Sequence, residues 1–92
     1  MASLPDITKA APMTASQVEA ITAAADNAGV FSTPVFRRDG RVDEVSVWEG
    51  GENIGSVFRP AGGDLAVWLY TGNQRRVSDA TVGVRVILGR TR

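Results

Sequence analysis

The sequence predicts an α+β domain, with one helix packed on an antiparallel sheet. Two observations lead there. Nine of the twelve Ala residues precede Gly29, whereas eleven of the twelve Val and all ten Gly lie from Gly29 onward. Alanine favours helix, while β-branched residues punctuated by glycine favour strands and turns. The Val-rich segments are also joined by short connections, so consecutive strands should pair as a four- to five-stranded meander. A small barrel plugged by the helix fits the same pattern. With 92 residues, the chain has room for one modest core. Residues 1–13 read as an extended arm and residues 14–92 as a single domain.

In the arm, Pro5 and Pro12 oppose helix, and Leu4 and Ile7 are its apolar contacts. The helix is expected over about 15–28. Thr14 with Gln17 forms a T-x-x-Q capping box, and Ser16 with Glu19 offers a second register. Met13 would staple onto Val18. Val18, Ile21, Ala25 and Ala28 form a thin apolar stripe, which requires close packing on a sheet. Gly29 is placed to end the helix, with Val30 folding back onto Ala25.

From Phe31 the pattern is β. Val35–Arg38 and Val42–Trp48 flank Asp39-Gly40, a two-residue hairpin signal. Gly50-Gly51 closes the second strand, and Ile54–Arg59 forms the third. Leu65–Tyr70 is apolar at every position, as in a central strand buried on both faces. Gln74–Val77 reads as a short strand, followed by a turn or single helical turn at Ser78-Asp79-Ala80. Val82–Leu88 alternates, with Val82, Val84, Val86 and Leu88 on one side, and reads as the last strand.

Composition excludes several function classes. There is no Cys and no His, hence no disulfide, thiolate nucleophile, imidazole base or usual zinc set. The carboxylates Asp39, Asp43, Glu44, Glu49 and Glu52 sit in one hairpin and its turn, without calcium-loop spacing. The glycines from Gly50 to Gly55 lack a following helix and the Lys of a phosphate loop, so they are turn residues. The expectation is a non-enzymatic domain without cofactor or metal. No stretch approaches a membrane span or a secretory signal, so a cytoplasmic location is expected. Arginine outnumbers lysine nine to one, as in a GC-rich bacterial or phage gene.

Two binding readings follow. Formal net charge is zero, yet residues 1–58 are net acidic and residues 59–92 net basic. That polarity suits a protein partner or self-association. On this reading contact runs through Val82, Val84, Arg85 and Val86 of the last strand, taken as an edge, and through Leu4 and Ile7 of the arm. Arg37 and Arg38 would guard the first strand. The alternative is nucleic-acid binding through Arg75, Arg76, Arg85, Trp68 and Tyr70. Trp68 and Tyr70 share a strand face, opposite to Leu65, Val67 and Leu69.

Overall fold

Thr14 starts the first helix, α1 (Ala15–Asn27), by a reciprocal capping box. Gln17 N donates to Thr14 Oγ1 at 3.1 Å, and Thr14 N donates to Gln17 Oε1 at 3.0 Å. The Thr14 register therefore prevails over Ser16. Gly29 ends the helix at φ +75°, with Gly29 N donating to Asp26 O and Val30 N to Ala25 O. This is a Schellman motif. Ile21, Ala24 and Ala25 are buried, whereas Ala28 is the exposed C-cap. Ala24 takes the stripe position expected of Ala28, because the chain turns away there. These features belong to a computed structural model that describes residues 11–60 and 64–91.

Five strands follow: β1 (Phe31–Phe36), β2 (Val42–Glu49), β3 (Glu52–Phe58), β4 (Leu65–Leu69) and β5 (Gln74–Val77). They form an open antiparallel meander in the order β1-β2-β3-β4-β5. The sheet is open rather than a closed barrel, since among the described residues β1 and β5 remain its two edges.

The first hairpin differs from expectation. β1 ends at Phe36, and the loop is Arg38-Asp39-Gly40, closed by Arg37 N to Arg41 O at 2.6 Å and Gly40 N to Arg37 O at 3.0 Å. A two-residue type I′ turn would force Asp39 to positive φ. Here only Gly40, at +86°, takes that conformation. Gly50 and Gly51 both have positive φ and make the tight β2–β3 turn as expected. Two bulges bend the sheet. One inserts Asp43 into β2, between the Phe36–Val42 and Val35–Glu44 pairs; the other inserts Ile54 into β3. Ile54 thereby joins the core.

The largest correction concerns Val82–Leu88. It is not a strand but part of a second helix, α2 (Ala80–Thr91). The alternation Val82, Val84, Val86, Leu88 hides a second period. Ala80, Val84, Ile87 and Leu88 fall at helical spacing, and all four are buried. Asp79 caps this helix, its Oδ1 accepting from Val82 N at 2.9 Å. Valine is a modest helix former, but tertiary burial outweighs propensity.

Both helices lie on one face of the sheet. α1 packs on β1 and β2, α2 on β3, β4 and β5, and the helices touch each other. Val45, Val47, Ile54, Val57, Leu65, Val67, Leu69 and Val77 meet Ile21, Ala25, Val84 and Ile87 in one continuous core. The chain entering α1 is tied across the ends of β3 and β2. Ala11 N donates to Arg59 O, Arg59 Nη1 to Pro12 O and Met13 N to Val42 O. Met13 is buried and Val18 packs on the same core, consistent with the staple. Among the described residues no helix is long and apolar enough to cross a membrane.

Two substitutions test this packing. A Cβ on Gly55 would lie 2.7 Å from Trp68 O and 3.2 Å from two Ile87 side-chain carbons. Gly55→Ala is therefore expected to cost about 2 kcal/mol in chemical denaturation. Asp79→Ala removes the α2 cap and is expected to cost about 1 kcal/mol. An unchanged denaturation midpoint in either variant would contradict the packing described.

Candidate functional site

The two faces of the sheet differ in kind. Strand register places Leu65, Val67 and Leu69 under the helices, and Ala66 and Trp68 on the opposite face. Phe31, Thr33 and Val35 of β1 share that open face with Glu44, Ser46 and Trp48 of β2. Ser56 and Phe58 of β3, and Gln74 and Arg76 of β5, complete it. No helix of the described residues covers this side.

Local packing partly closes the open face. Trp68 packs against buried Phe58 and Ala66. Tyr70 lies beside Trp68, with ring centroids 5.9 Å apart and planes tilted by 45°. Trp48 Nε1 donates to Thr33 Oγ1 at 2.8 Å. Ser56 and Trp68 face each other across β3 and β4, and Ser56 Oγ and Trp68 Nε1 are both buried without a hydrogen-bond partner among the described residues. Each such atom costs about 1–3 kcal/mol.

The residues expected to bind nucleic acid do not converge. Trp68, Tyr70 and Arg76 lie together on the open side. Arg75 pairs with Val67 in register and so points to the helix side. Arg85 is exposed on α2, in the helix layer, across the sheet from Trp68.

The residues expected to bind protein are also redistributed. Val84 is buried in the core, Val82 and Val86 are half-buried against it, and Arg85 alone is exposed. A helix satisfies its own backbone, so Val82–Leu88 has no free ladder for strand addition. Leu4 and Ile7 lie outside the described residues.

The apolar edge lies elsewhere, on β1. Among the described residues four large apolar side chains are exposed: Phe31 (65%), Val35 (38%), Phe36 (64%) and Tyr70 (68%). Three of the four belong to this one edge strand. Phe31 and Val35 point to the open face. Phe36 borders a groove on the helix side with Pro12, Met13, Val18, Pro34 and Val42. Arg37 and Arg38, expected to guard the strand, instead lie beyond its end. The one guard within β1 is Pro34, which lacks an amide hydrogen. A proline inside a run of β-formers was the available sequence signal for an edge strand.

Charge near β1 is arranged end to end. At the hairpin tip, Arg37 Nε lies 2.9 Å from Asp43 Oδ1, close enough for charge pairing but off the line of a hydrogen bond. Arg41 Nε lies 3.6 Å from Asp39 Oδ2 in an exposed pair, which adds little stability. Arg38 is exposed there. At the other end of β1 stands the C-terminus of α1, with exposed Asp26 and no basic residue in its last turn.

Among the described residues no three acidic side chains stand together in a way that would hold a metal ion. Among the described residues the fold is a two-layer α+β arrangement with one sheet face that no helix covers and one apolar edge strand. The chain matches no protein-family model, no curated protein and no solved structure.

Proposed function

We propose that this chain is a non-enzymatic docking domain that binds protein along strand β1. The observation that carries the reading is the concentration of exposed Phe31, Val35 and Phe36 on one edge strand. Large apolar side chains grouped at an unpaired sheet edge create a cost that a partner relieves by covering them. Both faces of the strand contribute, so a partner laid along this edge can cover apolar side chains on either side of the sheet. The rigid sheet and its two helices supply the platform. The cytoplasm is the compartment in which we place it.

Phe31→Ser with Phe36→Ser tests this reading. Both side chains are exposed, so stability is expected to change by no more than about 1 kcal/mol. The immobilised wild-type chain is expected to retain a specific protein from its host's lysate, or a second copy of itself. The double variant is expected to retain neither. Equal retention by both forms would remove β1 from the interface.

A second reading draws on the Trp68–Tyr70 pair, with Arg76 and Gln74 on the same face. Such a cluster offers stacking for a single-stranded nucleic acid and one cation for its backbone. It predicts affinity that falls steeply between low and moderate salt. It further predicts that Arg76→Ala weakens binding while Arg75→Ala, on the other side of β5, does not. Fluorescence titration with a short single-stranded oligonucleotide measures both. Equal effects of the two variants would exclude this face.

A further inference from the structure

We propose that a cavity at the start of β1 holds the guanidinium of an arginine side chain from the partner docked there. The inference rests on the docking reading above and names the chemistry of the contact. Pro34 interrupts the row of amides along this edge, so recognition falls to side chains rather than to an added strand.

The cavity has a volume of about 590 Å³ and is bordered by Gly29, which follows α1, and by the β2–β3 turn. Phe31 and Trp48, cross-strand partners on the open face, supply its aromatic surface. Trp48 Nε1 already donates to Thr33 Oγ1 at 2.8 Å. That bond holds the indole in place and leaves its ring for contact. Phe31 is largely exposed, so a ligand beside it gains contact area without displacing a neighbour. Gly50 and Gly51 border the cavity without side chains, and a Cβ at either would meet nothing within 4 Å. The space is large enough for the end of a long side chain.

Charge selects a cation. The last carbonyls of a helix carry partial negative charge, and the last turn of α1 holds exposed Asp26 and no basic residue to offset it. Glu49 borders the cavity, and Glu52 stands opposite Glu49 across the turn. Residues 15–36 and 42–58, which supply α1 and β1 to β3, contain no Lys and no Arg. Aromatic rings attract a cation to their faces, and carbonyl and carboxylate oxygens accept its hydrogen bonds. Arginine meets both demands at once. Its planar guanidinium stacks on a ring while five N–H donors reach acceptors around its edge. A lysine ammonium is more strongly hydrated and cannot stack.

Titration with N-acetyl-arginine amide, followed by NMR of the backbone and indole N–H signals, tests the site. Saturable shifts are expected at the Trp48 indole and at Gly29, Gly50 and Gly51, while the Trp68 indole stays unmoved. N-acetyl-citrulline amide has the same shape without the charge, and is expected to bind about tenfold more weakly. Phe31→Ala is expected to weaken the arginine probe by a similar factor, and because Phe31 is exposed the spectrum should otherwise be unchanged. No shift at these signals, equal binding of the citrulline probe, or an unaffected Phe31→Ala variant would each overturn the proposal. Tighter binding of N-acetyl-lysine amide or tetramethylammonium would overturn the assignment to guanidinium. The docking reading is judged separately. If a protein is retained by the wild type, lost with Phe31→Ser and Phe36→Ser, and displaced by the arginine probe but not the citrulline probe, both ideas are supported. Retention that is indifferent to the arginine probe leaves docking at β1 standing and removes the arginine. Arginine-selective shifts with no retained protein do the reverse, leaving a site for a free guanidinium compound and overturning the partner as its source.

Discussion

Close approach of α1 and α2 to a single face of the sheet is the contact on which the rest of the molecule depends. Large apolar side chains are few, so the core must be thin and tight. Dispersion fades over fractions of an ångström, and a gap of about 0.5–1 Å forfeits a quarter to a half of each contact. Small residues make the approach possible. Ala24 and Ala25 let α1 settle on β1 and β2. Under α2, Gly83 leaves room for Val67, Val77 and Val57, with 3.3–3.6 Å between their carbons and where its own Cβ would be. Gly55 does the same from the sheet side for Ile87. These positions fix the depth of the helix layer more than any single large side chain does.

That layer uses both helices on one side, and the asymmetry shapes the surface. Among the described residues, the opposite face has only its own side chains for cover. Trp68 shields Phe58 and Ala66, and Trp48 anchors to Thr33. The cover is incomplete in hydrogen bonding, as buried Ser56 Oγ and Trp68 Nε1 show. At the β1 edge even this protection ends. Phe31 and Phe36 project on opposite sides of a strand that, among the described residues, has a neighbour on one side only. The same economy that makes a tight core thus leaves an apolar edge available for contact.

Local chemistry was readable wherever one residue type decides the conformation. The Thr14–Gln17 box, the Gly29 terminator and the Gly50-Gly51 turn follow from hydrogen-bonding reach and allowed φ. Strand parity in Leu65–Leu69 separated the core side from the Trp68 side without any tertiary information. The candidate site was less legible. Phe31 and Phe36 are sequence-identical to core residues. Only the strand order shows that β1 has no outer neighbour among the described residues.

The sequence by itself determined the helix that starts after Thr14, a meandering sheet and the turn positions, because caps, glycines and period-two runs act over a few residues. Tertiary structure alone decided the segment after Asp79. Val82, Val84, Val86 and Leu88 satisfy a strand, while Ala80, Val84, Ile87 and Leu88 satisfy a helix. Local propensity leans toward the strand. The balance turned on the apolar surface of β3, β4 and β5, which α1 is too short to cover and which a helix with a glycine at its contact covers closely. Burial over that distance is a property of the assembled chain, and no window of neighbouring residues contains it.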